Sequence, residues 1–139
     1  MRQARALDLG AVASAGDVAG LGTDEQFDYV LDASGAPPAI VDGLGRLRKR
    51  GTFIQMGVAP TGAVLPYSPY ELYEKEWRII GSNSVADCYR LAAESMPGVV
   101  DDLRSLITHR FSLEDFDEAV SAMARPDAIK VHLRPAQGH

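Results

Sequence analysis

Two strand-like segments separated by one helix-length segment constrain the fold of this 139-residue chain more than any other feature. Residues 27–35 (FDYVLDASG) are a nearly continuous apolar run that ends in small residues, which is typical of a strand buried in a parallel sheet. The next strand is predicted over residues 51–57 (GTFIQMG). Between them, prolines precede apolar residues at helical spacing, so the pattern predicts a βαβ unit with a right-handed connection.

The flanking segments predict further helices and strands. Residues 3–9, followed by a glycine, indicate a helix, and residues 11–15 are weakly strand-like. The basic residues 46–50 (RLRKR) are expected to end the crossover helix, where cations complement the helix dipole. A capping box from Ser68 to Glu71 predicts another helix, residues 77–83 (WRIIGSN) a third strand, and Ser84 the cap of a further helix.

The C-terminal segment indicates strand, helix and strand close together. Ser112 with Asp115 three residues later predicts a helix that starts at about Leu113 and stops at Pro126. Residues 128–133 (AIKVHL) then alternate apolar and polar side chains, as in a half-buried strand. Strands separated by helices favour an α/β fold with a parallel, doubly wound sheet, in one domain over residues 1–135 with a short tail, 136–139.

Composition excludes several classes of function. The net charge of −5 is spread along the chain, which gives no nucleic-acid or membrane-binding surface. Since no apolar run approaches a membrane span and the N-terminus has no apolar core, a cytoplasmic location is expected. The single cysteine, Cys88, rules out an internal disulfide and a cysteine zinc cluster, and its helix face predicts a buried position.

The small residues that follow two strands are the candidate ligand site. In parallel sheets ligands bind beyond the carboxyl ends of the strands, and residues 33–35 and 57–60 would permit close backbone approach there. Tight turns alone would also explain small residues at these positions. Neither GxGxxG nor GxxxxGK[ST] occurs in the sequence, so the usual phosphate-binding turn is missing.

The acidic and histidine residues offer no catalytic constellation in the sequence. His109, His132 and His139 lack a metal-ligand spacing. Asp28 and Asp32 are four residues apart on one strand, too far for a shared-proton pair, so hydrogen bonding at the strand edge is the expected role.

In their order and spacing these segments resemble the C-terminal half of the medium-chain, zinc-type alcohol and polyol dehydrogenases. The resemblance rests on FDYVLDASG, GTFIQMGVAP, SPYELYEKEWRIIGSN and LITHRFSLEDFDEAVSAM followed by AIKVHLRP, and covers about residues 2–135. It implies a partial, Rossmann-like doubly wound sheet, an NAD or NADP cofactor, and hydride transfer between an alcohol and the nicotinamide.

The resemblance also assigns site residues. Residues 33–35 would lie near the adenosine ribose and 57–59 near the nicotinamide ribose, with Lys130 at a position that is often basic and directed at the pyrophosphate. The third strand, residues 77–83, corresponds to the edge that pairs in the family's homodimers. The implied cofactor-binding residues are Ala33, Ser34, Gly35, Gly57, Val58, Ala59, Ser82, Asn83 and Lys130.

The sequence departs from the family pattern by lacking the zinc-binding domain with its ligands, the glycine-rich turn and the ribose-reading acid. The expected outcome is a truncated cofactor half that is inactive by itself, with neither the alcohol nor the choice between NAD and NADP determined. Two alternatives stay open: a non-catalytic dimerisation or interaction module that uses an exposed sheet edge, and half of an enzyme completed in trans.

Overall fold

The computed structural model describes residues 1–17, 19–22, 24–83 and 88–135. Within them the chain divides into two compact units, one of Met1–Ser14 with Asp87–His139 and the other of Ala15–Ala86. The strands are β1 (Phe27–Asp32), β2 (Leu47–Gln55), β3 (Arg78–Gly81), β4 (Ile107–Ser112) and β5 (Lys130–Arg134). The helices are α1 (Arg2–Asp8), α2 (Pro37–Gly45), α3 (Pro69–Glu74), α4 (Cys88–Ser95), α5 (Val100–Ser105) and α6 (Phe116–Ala122).

A three-stranded parallel sheet in the order β1-β2-β3 organises the Ala15–Ala86 unit. The register brings Val30, Phe53 and Ile79 side by side across the three strands. Helix α2 connects the first two strands and packs against both. The predicted βαβ unit and the predicted third strand are therefore confirmed.

The core of this unit lies between α2 and one face of the sheet. Ile40 from the helix and Leu47 and Phe53 from β2 are buried together. Gly43 allows the close approach, because a Cβ built there would lie 3.0 Å from Val30 Cγ1 and 3.1 Å from the Phe53 ring. A side chain at this position would require Val30 and Phe53 to shift by a few tenths of an ångström.

The prediction that residues 46–50 end the crossover helix is wrong. Helix α2 stops at Gly45, and β2 already begins at Leu47, which is fully buried and pairs with Phe27. Arg50 then takes a left-handed backbone conformation (φ 68°), and its amide donates to the carbonyl of Lys75. Burial of Leu47 outweighs the local charge pattern that suggested a helix end.

The predicted cap at Ser68 is confirmed, whereas the predicted strand over residues 11–15 is wrong. The Ser68 hydroxyl accepts a hydrogen bond from the amide of Glu71 at 3.2 Å, so the predicted cap of α3 is confirmed. Residues 11–15 do not form a strand. Their small side chains supply neither the alternation nor the apolar contacts that a strand requires.

Strands β4 and β5 run parallel in the Met1–Ser14 and Asp87–His139 unit, and α6 packs against both. The terminal strand predicted over residues 128–133 is thereby confirmed. The predicted start of the helix at Leu113 is wrong: α6 begins at Phe116, and Ser112 ends β4, where it pairs with Arg134. The Ser112 hydroxyl donates to the Asp115 carboxylate at 2.8 Å instead of capping the helix.

Helix α4 has no buried residue, and Cys88 at its start is exposed, so the prediction of a core cysteine is wrong. Its predicted cap, Ser84, lies outside the described residues. Among the described helices none is long and apolar enough to cross a membrane.

Candidate functional site

Asp32, the last residue of β1, organises the carboxyl edge of the three-stranded sheet. Its side chain is buried, and one carboxylate oxygen accepts hydrogen bonds from the Ser34 hydroxyl (2.6 Å) and the Ser34 amide (3.0 Å). The other oxygen accepts from the Gly35 amide (2.9 Å) and from Gln55 Nε2 (2.6 Å). The hydrogen bonding expected of Asp32 from its strand-end position is confirmed, and it fixes the loop that follows β1.

Gln55, the last residue of β2, connects all three strand ends. Besides Asp32, its Nε2 donates to the carbonyl of Gly57 at 2.6 Å. Its own backbone carbonyl accepts from the amide of Ser82, which follows β3, at 2.9 Å. Sequence reasoning missed this role, although a glutamine directly after the apolar residues Phe53 and Ile54 is a visible signal.

The loops after β1 and β2 touch through their backbones. A Cβ on Gly35 would lie 2.2 Å from the Val58 carbonyl oxygen, and Gly35 has a positive φ of 66°. The amides of Met56 and Gly57 both donate to the Asp32 carbonyl. Gly35 and Gly57 are therefore required by contact between the two loops, which is the tight-turn interpretation of their size.

Asp32 is held ionised by its neighbours. Burial acts to raise the pKa of its carboxyl, but the hydrogen bonds from the Ser34 hydroxyl, the Gly35 and Ser34 amides and Gln55 together lower that pKa below its ordinary value. A buried anion with this many donors is a structural element, because few lone pairs remain for a ligand.

A cleft of about 490 Å³ opens where the second and third strands end. The volume lies in the range of small-molecule sites. A Cβ built on Gly81 would have no atom within 4 Å, and the side chain of Val58 is almost fully exposed. The lining residues are Gln55, Met56, Gly57, Val58, Gly81, Ser82 and Asn83.

The structure brings most of the residues named by resemblance to this one edge. Ala33 and Ser34 are exposed and Gly35 is buried directly after β1, and Gly57, Val58, Ser82 and Asn83 line the cleft. Ala59 instead packs its side chain against the core that contains Phe53. Lys130 lies at the start of β5, in the other compact unit.

His109 is bonded within its own unit of the described chain. His109 Nδ1 lies 2.9 Å from the Thr108 hydroxyl, and Nε2 lies 3.7 Å from the Asp127 carboxylate. Arg125 donates two hydrogen bonds to the Asp127 carboxylate. These bonds and the positive charge of Arg125 lower the pKa of Asp127. Among residues 1–17, 19–22, 24–83 and 88–135 no three His, Cys, Asp or Glu side chains are grouped to hold a metal ion, so the chemistry of a zinc site does not fit these residues.

Asp28 is separate from this edge. It is exposed and forms an ion pair with Arg48 at 3.1 Å. Among the described contacts its partner is therefore different from those of Asp32, which are Ser34, Gly35 and Gln55.

Comparison with known proteins gives sequence relatives of one kind. L-threonine 3-dehydrogenase of Salmonella gallinarum is 34% identical over 119 residues, which cover 84% of this chain and 34% of the relative. Sorbitol dehydrogenase of Halalkalibacterium halodurans is 30% identical over 109 residues, covering 78% of this chain and 32% of the relative. No family model matches the chain.

The fold agrees with solved dehydrogenase structures. A protein provisionally assigned as a zinc-binding dehydrogenase, from Sinorhizobium meliloti 1021 and bound to NADP, superposes with a TM-score of 0.85 at 23% identity. The match covers 96% of this chain and 42% of that protein. The chain spans about a third of the length of the curated relatives it matches. Its relatives and structural neighbours are medium-chain, zinc-type alcohol and polyol dehydrogenases, and the chain corresponds to one segment of these longer proteins.

Proposed function

We propose that the carboxyl edge of the β1-β2-β3 sheet is part of the nicotinamide dinucleotide site of a zinc-dependent alcohol or polyol dehydrogenase. The observation that carries the proposal is the cleft between Gly57–Val58 and Gly81–Asn83, built on strand ends that Asp32 and Gln55 bond together. Ligands of parallel α/β sheets bind at this edge. An NADP-bound structural neighbour supports the cofactor class.

The residues present fit the nicotinamide ribose better than the rest of a dinucleotide. The backbone of Val58 and the polar side chains of Ser82 and Asn83 offer both donors and acceptors at the cleft. When bound, the dinucleotide supplies the hydride acceptor. The sequence contains no glycine-rich phosphate turn, so the pyrophosphate gains little from this chain.

The chain is proposed to contribute no part of the zinc chemistry. Its described residues hold no group of potential metal ligands. The proposed function is therefore to bind and orient the cofactor, while alcohol activation requires groups that this segment does not supply. Binding of the dinucleotide to the 139-residue chain is expected to be weak, with a dissociation constant on the order of millimolar.

Titration of the isotopically labelled chain with NADH and NADPH, followed by amide NMR shifts, tests the proposal. Shifts are expected at Gly57, Val58, Ser82 and Asn83. Gly81→Val should weaken binding several-fold, because the new side chain enters the cleft from a position where a Cβ meets no atom within 4 Å. The matched control is Gly62→Val, which has equally open surroundings and does not line the cleft. Shifts that avoid the cleft would refute the proposal, whereas micromolar binding at the cleft would contradict only the expected weak affinity.

A second candidate function is self-association through β3. This strand is an edge of the three-stranded sheet, and all four of its residues are exposed, with Ile79 and Ile80 each about half accessible. An exposed apolar edge strand is a template for pairing with another strand. We propose a homodimer through the strand region 77–83, which could serve a catalytic assembly or a non-catalytic interaction module alike.

A further inference from the structure

The orientation of the Gln55 side-chain amide is fixed by its two partners. Its Nε2 lies 2.6 Å from the Asp32 carboxylate and 2.6 Å from the Gly57 carbonyl oxygen. Both partners can only accept hydrogen bonds, so the NH2 group of the Gln55 amide, and not its oxygen, must face them. The NH2 group has one proton for each acceptor. Rotation of the amide would therefore break two hydrogen bonds and set oxygen against oxygen.

This contact also holds the peptide group between Gly57 and Val58. The peptide bonds of the described residues are trans, so the Gly57 carbonyl and the Val58 amide point in opposite directions. Because the carbonyl faces the Gln55 side chain, the Val58 amide faces away from it. A flip of the peptide group would lose the hydrogen bond from Gln55. The side chain of Gln55 therefore determines which way the Val58 amide points.

The amide of Val58 is an unused donor in the described part of the chain. The two preceding amides, of Met56 and Gly57, both donate to the Asp32 carbonyl, at 2.9 and 2.8 Å. The Val58 amide donates to no group of the described residues. Val58 lines the cleft at the ends of β2 and β3 and is almost fully exposed. A backbone donor of fixed direction at a cleft suits an acceptor oxygen of a ligand.

We propose that Gln55 is a positioning residue of the cleft, which fixes the Gly57–Val58 peptide group so that the Val58 amide donates to an acceptor oxygen of the bound dinucleotide. The inference rests on the proposed cofactor function, and it adds a residue that the family resemblance does not assign. Gln55 acts through the peptide group and not by touching the ligand. Because the donor is oriented before the ligand arrives, less conformational entropy is lost on binding.

The first test uses NMR spectra of the isotopically labelled chain without ligand. Both protons of the Gln55 NH2 group are expected to exchange with solvent more slowly than those of Gln26, an exposed glutamine directly before β1. Equally fast exchange at the two glutamines would show that the Gln55 amide is not held. That result would overturn the positioning role without bearing on the cofactor proposal.

The second test is a titration with NADH of the unchanged chain and of Gln55→Met, which keeps the length of the side chain but has no donor. In the unchanged chain the Val58 amide proton should move downfield as it donates to the ligand. In Gln55→Met this shift should be lost and binding should weaken about threefold, because one hydrogen bond to the ligand is no longer oriented. The signals of Ser82 and Asn83 should still shift. Gln26→Met is the matched control and should alter neither the Val58 shift nor the affinity.

The outcomes distinguish the positioning role from the cofactor proposal. The same Val58 shift and the same affinity in Gln55→Met would overturn the positioning role and leave the cofactor proposal standing. An unchanged chain without shifts at Ser82 and Asn83 would refute the cofactor proposal, and the positioning role would fall with it. If Gln55→Met fails to fold, Gln55→Glu decides by the same signals, since an ionised carboxylate keeps the shape of the amide and has no donor.

Discussion

Gly57 and Gly35 pack backbone against backbone: a Cβ built on Gly57 would lie 2.1 Å from the amide nitrogen of Gly35. The same Cβ would lie 2.8 Å from the Asp32 carboxylate. The loops that follow β1 and β2 are thus in direct contact at the buried carboxylate. These contacts leave no room for a side chain at Gly57, on the edge that carries the candidate cofactor site.

Replacing Gly57 with alanine should lower the free energy of unfolding by about 1–3 kcal/mol or more, because the methyl group must displace backbone. Urea denaturation followed by circular dichroism measures the change. Gly62→Ala is the control, since its Cβ meets no atom within 4 Å and an effect within about 0.5 kcal/mol is expected. Equal stability of the two variants would contradict the contact.

Asp32→Asn should lower the free energy of unfolding by about 1–3 kcal/mol, because the amide group cannot accept all the hydrogen bonds that the carboxylate accepts. Asp28→Asn, at an exposed position on the same strand, is the matched control and should cost far less. The two variants are compared by urea denaturation at neutral pH.

The stability of the chain should also fall at acid pH through Asp32. Hydrogen bonding lowers the folded-state pKa of this carboxyl below 3.8. Its stabilising contribution is therefore complete above the unfolded-state pKa and is lost as the pH falls through the folded-state pKa. Denaturation curves from neutral pH downwards should show a smaller acid-dependent loss for Asp32→Asn than for the unchanged protein. An equal acid-dependent loss of unfolding free energy in Asp32→Asn and in the unchanged protein would contradict this role of Asp32.

Ile80→Lys should shift the chain from dimer towards monomer, because it places a charge in the exposed edge strand. Tyr29→Lys is the comparison on the opposite edge, where Tyr29 and Leu31 are exposed on β1. It should affect only association through that edge. Sedimentation at tens of micromolar decides, and a monomeric unchanged protein would reject the dimer.

The 139-residue chain by itself is expected to show no turnover of primary or secondary alcohols with NAD or NADP. Alcohol activation by a Lewis acid needs metal ligands, and none are grouped within its described residues. The measurement is NADH formation with and without added zinc. Zinc-dependent turnover above that of a heat-treated sample would contradict the prediction.

Several secondary-structure elements were determined by residues within the element or directly next to it. The apolar run of β1, the prolines that start α2 and the Ser68 cap of α3 could all be predicted from near neighbours. The family resemblance also predicted Gly35, Gly57, Ser82 and Asn83 at one edge of the sheet. These residues lie together because parallel strands with crossover helices place their carboxyl ends together, and their contact with a cofactor stays a prediction.

Only the tertiary structure decided where several elements end and how the site is held. The basic residues after Gly45 join β2 because Leu47 is buried against Ile40 and Phe53, and Ser112 stays in β4 because it pairs with Arg134. The bond from Gln55 to Asp32 joins residues 23 positions apart in the chain. Such contacts override local preference because burial and hydrogen bonding between distant residues contribute more free energy than helix propensity or capping within one segment.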